Sequence, residues 1–108
     1  MTKVDYELFV ADPGDGYGVK FALRTEYNKQ LVKSIKAMDW QLSHRGWDQY
    51  ESVWRFDIND YTIDELRRLG VDVPDLEICK QAVDALSNED SDSSDDPFPI
   101  KGELEVFA

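Results

Sequence analysis

Apolar and polar positions alternate along residues 4–24 with the two-residue period of β-strands. The apolar positions are Val4, Tyr6, Leu8 and Val10 in a first run, and Val19, Phe21 and Leu23 in a second. The segment between the runs, residues 12–18, is rich in Asp, Pro and Gly, which favour turns. The pattern predicts an antiparallel pair of half-buried strands, with Lys20 and Arg24 on the solvent face.

From residue 28 the spacing becomes that of an amphipathic helix. Asn28 is suited to the N-cap position. The apolar positions that follow at helical spacing are Leu31, Val32, Ile35 and Met38, and a second stripe carries Lys29, Lys33 and Lys36. Alternation returns at Trp54, Phe56 and Ile58, which predicts another strand. We expect the residues before it, around Trp47, to form the other arm of a hairpin or an ordered loop, and Trp47 and Tyr50 to be more exposed than Trp54.

Two further helices are predicted in the second half of the chain. Residues 62–65, Thr-Ile-Asp-Glu, match a capping box, and Tyr61 is placed to pack against Leu66. Gly70 suits the end of that helix, and Pro74 suits the first turn of the next. The positions expected on the buried side of this last helix are Leu76, Cys79, Val83 and Leu86.

The fold class predicted from these patterns is α+β. Elements in the order β-β-α-β-β-α-α would form a small antiparallel sheet packed by two or three helices. We assign residues 1–86 to a single domain, 87–99 to a flexible acidic linker, and 100–108 to a short strand or peptide. Leu104 and Val106 alternate with acids, so this end could be an edge strand or an apolar peptide carried on the linker.

Charge is distributed unevenly over the 108 residues, whose formal net charge is −11. Residues 1–80 carry 11 Lys and Arg against 15 Asp and Glu, a balance of −4, and residues 81–108 carry one against eight, a balance of −7. Residues 17–45 hold six cations against two acids, a local balance of +4. The sequence therefore combines a basic region with an acidic C-terminal segment, a contrast that matters more for binding than the total charge.

Catalytic and metal-binding patterns are weak. His44 and Cys79 are the single histidine and the single cysteine, too few for a transition-metal site or an intrachain disulfide. A Ser–His–acid set could be written with Ser43 or Ser52, His44 and Asp48, but no nucleophile-elbow motif accompanies it. We therefore expect a protein that is not an enzyme and that needs no cofactor or metal and no small-molecule substrate.

No apolar run approaches the roughly 20 residues that a membrane-spanning helix needs. The first five residues also lack the apolar stretch of a signal peptide. The expected location is the cytoplasm, and no membrane partner is predicted.

One functional hypothesis is nucleic-acid binding. Lysines and arginines neutralise phosphates without reading sequence, and exposed aromatic rings stack on unpaired bases. The predicted phosphate contacts, with Trp47 as the stacking residue, are Lys20, Arg24, Lys29, Lys33, Lys36 and Arg45. The partner would be single-stranded or branched DNA, and the acidic segment would recruit another protein or compete for the basic face.

Residues 19–69 also carry a pattern that resembles a known family. Its positions are Tyr27-Asn28, Leu31-Val32, Ile35-Lys36, Arg45-Gly46-Trp47-Asp48, Val53-Trp54-Arg55-Phe56, Leu66 and Leu69. They resemble the small HARP-like domain that precedes the motor in some SNF2-type annealing helicases. The resemblance implies a DNA-associated module without catalysis of its own, in which Trp47, Trp54 and Phe56 are structural and the basic helix faces DNA. The acidic segment has no counterpart in that pattern.

The alternative hypothesis is a small acidic inhibitor or DNA mimic, of the kind that phages encode. Its carboxylates would occupy the DNA groove of a DNA-processing or defence enzyme. The residues assigned to this contact are Asp57, Asp60, Asp64, Asp90, Asp92, Asp95, Asp96 and Phe98.

Overall fold

An antiparallel sheet of five strands and four helices make up the part of the chain that the computed structural model describes, residues 2–12, 14, 16, 18–87 and 98–106. In chain order the elements are β1 (Thr2–Ala11), β2 (Lys20–Thr25), α1 (Lys29–Lys36), α2 (Trp40–Ser43), β3 (Gly46–Asp48), β4 (Val53–Phe56), α3 (Asp60–Leu69), α4 (Leu76–Ser87) and β5 (Ile100–Val106). The strands lie in the order β3-β4-β2-β1-β5. The predicted α+β class is confirmed.

Strand register separates an apolar face of the sheet from a charged one. Leu8 lies opposite Leu23, and Leu23 in turn lies opposite Trp54, so one face is lined by buried side chains across three strands. Helices α1, α3 and α4 cover this face. The residues they bury in the same core are Leu31 and Ile35 from α1, Ile63 and Leu66 from α3, and Cys79 and Ala82 from α4. Burial raises the pKa of the Cys79 thiol to about 11.

The other face of the sheet carries ion pairs between neighbouring strands. Glu7 of β1 lies opposite both Arg24 of β2 and Lys101 of β5. Its carboxylate oxygens are 3.1 Å from Arg24 Nη1 and 3.6 Å from Lys101 Nζ. Such cross-strand pairs support the register. They also neutralise Arg24, one of the cations that the sequence suggested were available for a ligand.

Helix α1 begins where the sequence predicted. The side chain of Asn28 accepts a hydrogen bond from the amide of Leu31 at 3.1 Å, the expected N-cap contact. Gly70 ends α3 in the left-handed conformation, with φ of 104°, which is also as predicted.

The predicted capping box at the start of α3 is wrong. The helix begins at Asp60, and Asn59 is its N-cap, accepting from the amide of Thr62 at 2.9 Å. Thr62 lies inside the helix with its side chain fully buried, and Glu65 pairs with Arg68 instead of reaching back to the cap. An Asx cap three residues upstream therefore replaces the Thr-based one, because Thr62 is needed on the buried side.

Two predictions for the chain after α2 also need correction. Leu86, expected on the buried side of α4, is about half exposed, and Ala82 is buried instead. Phe98, assigned to the linker and to a partner-binding role, lies in the core, with its ring centroid 6.5 Å from that of Phe21. It is therefore a packing residue and not an exposed contact.

The last described residues form an edge strand, one of the two alternatives that the sequence left open. β5 pairs with β1 over its whole length, from Thr2 opposite Val106 to Leu8 opposite Ile100. Within the segment predicted to be a flexible linker, Ser87 belongs to α4, and residues 88–97 lie outside the described residues.

Helix α2 is a single turn that the sequence did not predict. Asp39 caps it by accepting from the amide of Gln41 at 2.8 Å, and His44 ends it in the left-handed conformation. Because a helix of four residues shows no periodicity, hydrophobic spacing could not reveal it. The short strand β3 that follows pairs with β4 as the other arm of a hairpin, one of the two alternatives predicted for this segment.

Candidate nucleic-acid interface

The lysines of α1 form one exposed stripe. Lys29, Lys33 and Lys36 are four and three residues apart, which places them on one side of the helix, about 6 and 4.5 Å apart along its axis. Among the described residues, no carboxylate oxygen lies within 4.0 Å of their ammonium groups. Lys33 and Lys36 are in the last turn, where positive charge complements the helix dipole.

Lys20 and Arg24 lie apart from this stripe. Both are on the sheet face opposite to the helices, since the residue next to each of them towards the middle of β2 is buried in the core. Lys20 Nζ is 3.5 Å from an Asp57 carboxylate oxygen, and Arg24 pairs with Glu7. The structure thus divides the predicted set of six cations between two faces.

Arg45 contacts the end of α1 through its guanidinium group. Its Nη2 donates to the carbonyl of Lys36 at 2.8 Å, and its Nε donates to the carbonyl of Met38 at 3.3 Å. These carbonyls lie at the C-terminal end of the helix, where unpaired acceptors accumulate. Because Arg45 directly precedes β3, this contact ties the end of α1 to the start of the hairpin.

A groove of about 530 Å³ separates α1 from the β3–β4 hairpin. Its lining residues are Thr25, Tyr27, Val32, Lys36, Trp47, Ser52 and Trp54. Tyr27 is 84% exposed and Trp47 is 53% exposed, whereas Trp54 is 8% exposed and belongs to the core. The predictions that Trp47 and Tyr50 are exposed and that Trp54 is buried are confirmed.

The two tryptophans of the groove touch each other across the hairpin. Trp47 lies opposite Trp54 in the β3–β4 register, with ring centroids 5.3 Å apart and planes tilted by 58°. The tilted contact supports Trp47 from one side and leaves about half of its surface open. Lys36 belongs to both the groove and the lysine stripe, so the two form one continuous surface.

Asp48 organises the turn of the hairpin. Its Oδ1 accepts from the amides of Tyr50 and Glu51 at 2.9 and 3.1 Å, and its Oδ2 accepts from the guanidinium of Arg55 at 3.1 and 3.3 Å. The Glu51 amide, and then Arg55 and the Tyr50 amide, hold the pKa of the Asp48 carboxyl below its ordinary value of 3.8. This network fixes the strand end that carries Trp47.

Sequence reasoning missed Tyr27 and Val32 as parts of this surface. A local signal was present, since Tyr27 directly precedes the N-cap Asn28 and Val32 occupies the fourth helical position. An apolar pair at these positions commonly packs together as a hydrophobic staple, which would have placed both beside the start of α1. Both line the groove.

The residues of the alternative, acidic interface are scattered. Asp57 lies between Lys20 and His44, whose Nδ1 contacts its other carboxylate oxygen. Asp60 and Asp64 are exposed on α3. Four of the remaining assigned residues, Asp90, Asp92, Asp95 and Asp96, lie outside the described residues, and the fifth, Phe98, is in the core.

In the Ser–His–acid set, Ser43, His44 and Asp48 have other partners. The buried Ser43 hydroxyl donates to the carbonyl of Asp39 at 2.9 Å, His44 contacts Asp57, and Asp48 binds Arg55.

No described helix is both long and apolar enough to cross a membrane. Comparisons of the chain with protein-family models, with curated proteins and with solved structures gave no match.

Proposed function

We propose that this protein is a non-enzymatic module that binds nucleic acid through helix α1 and the adjoining groove. Lys29, Lys33 and Lys36 contact phosphates, and Trp47 contacts a base beside them. The observation that carries the proposal is the continuity of a lysine stripe lacking carboxylate partners among the described residues with an exposed tryptophan. The HARP-like resemblance supports the same helix as the DNA-facing element.

The proposed interface contains fewer cations than the sequence predicted. Lys20 and Arg24 have carboxylate partners on the other sheet face, and we leave them out of the interface. Arg45 acts as a positioning residue, because its guanidinium binds carbonyls at the end of α1.

The net charge of −11 opposes the approach of a polyanion, but it does not prevent local binding. Surface charges act over about 8 Å at physiological salt, and the three lysines lie within about 10 Å of one another along α1. Three phosphate contacts to a single strand give a slope of about −2 for the logarithm of the binding constant against the logarithm of salt concentration. We therefore expect binding that is modest at physiological salt and much tighter at low salt.

Fluorescence anisotropy with a labelled single-stranded oligonucleotide tests this proposal. Lys33→Glu should weaken binding at low salt by about tenfold or more, since it reverses the central charge of the stripe. The matched control is Lys80→Glu, which makes the same change at an exposed position on α4. Equal effects of the two variants, or no binding by the folded protein at low salt, would contradict the proposal.

A second candidate function rests on helix α3. Asp60 and Asp64 are four residues apart and exposed, and neither has a cationic partner in the described part of the chain. Like charges at this spacing oppose helix stability, and a basic protein surface would relieve the repulsion. This supports the acidic inhibitor or DNA mimic. Such a protein would ignore oligonucleotides but displace DNA from a purified DNA-processing enzyme, and the double variant Asp60→Asn, Asp64→Asn would lose that displacement.

A further inference from the structure

We infer that the groove between α1 and the β3–β4 hairpin is a site for one unpaired nucleobase, so that the module selects single-stranded over fully paired nucleic acid. The inference deepens the proposed function and rests on it for the class of ligand. It adds Tyr27 to the interface as a second aromatic contact and assigns the groove a separate task from the lysine stripe.

The exposure of Tyr27 in the groove is the first observation that points to a ligand. It is 84% exposed, although a tyrosine ring of this size usually buries much of its surface. Within the described residues it makes no ring contact, hydrogen bond or ion pair. Its ring therefore lines the groove without a structural contact of these kinds.

Trp47 is the second observation. It lines the groove, the buried Trp54 supports it at a tilt of 58°, and about half of its surface remains exposed. The strand that holds it is fixed on both sides, by Arg45 at the end of α1 and by Asp48 at the hairpin turn. An aromatic ring that is both exposed and held in place stacks on a base with little loss of side-chain entropy.

Polar groups at the rim match a nucleotide better than a purely apolar ligand. Lys36 lines the groove and also belongs to the lysine stripe, so a base in the groove and a phosphate on the stripe could belong to one nucleotide chain. The Ser52 hydroxyl, also in the lining, has no hydrogen-bond partner among the described residues and is available to a base edge or a sugar. The volume of about 530 Å³ falls in the usual range for small-ligand sites.

A fully paired duplex would use this surface poorly. Both faces of each base are covered in the stack, and extrusion of a base into a pocket requires unstacking and unpairing. A duplex would therefore contact only the lysines. In a single strand one base is free to enter the groove and stack on Tyr27 and Trp47, which gives a preference of about 5- to 150-fold over the duplex.

The test compares three ligands of equal length by fluorescence anisotropy at low salt: a thymine oligonucleotide, the same strand with abasic sites, and a duplex. The wild-type protein should prefer the intact single strand. Tyr27→Ala and Trp47→Ala should lose this preference but keep the residual, salt-dependent binding through the lysines. Trp40→Ala is the matched control, since Trp40 is 56% exposed and lies outside the groove.

The outcomes distinguish the base site in the groove from the phosphate contacts of the lysines. Equal affinity of the wild-type protein for all three ligands would overturn the base site and leave the phosphate contacts standing. No binding of any ligand by the folded protein would overturn the proposed function and the base site together. If Trp47→Ala fails to fold, Tyr27→Ala still decides the matter, because Tyr27 makes none of the contacts whose loss would unfold the domain.

Discussion

Arg45 and Asp48 contribute to the proposed binding surface by fixing its shape and not by adding charge to it. Arg45 and Asp48 flank Trp47 closely in sequence, and each uses its charge internally, on helix carbonyls or on hairpin amides. Their role is to hold an exposed ring between α1 and the turn. Substitution of either residue should therefore be visible in stability before it is visible in binding.

Arg45→Ala should lower the free energy of unfolding by about 1–2 kcal/mol, because two hydrogen bonds from a charged, half-buried donor are lost. Urea unfolding followed by tryptophan fluorescence measures the change. Arg68→Ala removes an exposed i,i+3 pair and should cost less than about 0.5 kcal/mol. If both variants have the same stability, the contact between Arg45 and the end of α1 is not a significant restraint.

Asp48 should make the stability of the hairpin depend on acid. The pKa of its carboxyl is lower in the folded protein than the ordinary value of 3.8. The carboxylate therefore stabilises the fold at pH values above 3.8, and this contribution is lost as the pH falls below 3.8 and through the folded pKa. When thermal unfolding is followed between pH 6 and pH 2, the melting temperature should decrease less for Asp48→Asn than for the wild type. Asp84→Asn, at an exposed position on α4, should follow the wild-type curve. A curve for Asp48→Asn that matches the wild-type one would contradict the assignment.

At the scale of elements, agreement between sequence and structure depended on how local the determining contact is. Helix α1 was predicted from residues that touch one another, the cap Asn28 and the periodic positions Leu31 and Ile35. The start of α3 was mispredicted because Thr62 and Asn59 are both good caps, and only the burial of Thr62 selects between them. Tertiary packing made that choice.

The candidate surface also has parts that local sequence predicts and parts that depend on tertiary contacts. The lysine stripe follows from helical spacing alone, and the exposure of Trp47 followed from its position near a turn. The groove did not, because it joins Tyr27, Val32 and Ser52 across three segments. Nor could spacing show that Lys20 and Arg24 are paired on the other face, since their partners Asp57 and Glu7 are far away in sequence.

At the scale of the whole molecule, the chain closes its core with residues from both ends. β5 pairs with β1, and Phe98, just before β5, packs against Phe21 in the middle of the sheet. The sequence-based prediction placed Phe98 in a linker because the residues before it are mostly acidic or small. Its burial shows that the acidic segment is followed by residues that the fold requires.

Phe98→Ala should therefore lower the free energy of unfolding by about 3–5 kcal/mol, the usual cost of removing a buried phenyl ring. Chemical denaturation measures it. Leu86→Ala is the control, because Leu86 is about half exposed and its truncation should cost under about 1 kcal/mol. A loss below 1 kcal/mol for Phe98→Ala would mean that the ring is not part of the core in solution.

The most direct test of the central claim is an NMR titration of the ¹⁵N-labelled protein with a short single-stranded oligonucleotide. If nucleic acid binds at α1 and the groove, shifts should concentrate on the amides of residues 27–36 and on the indole N–H of Trp47. The indole of Trp40 and the amides of Glu7, Lys20 and Lys101, whose side chains lie on the opposite sheet face, should move little. Shifts confined to that opposite sheet face, or an unchanged spectrum at low salt, would contradict a nucleic-acid interface on α1 and the hairpin groove.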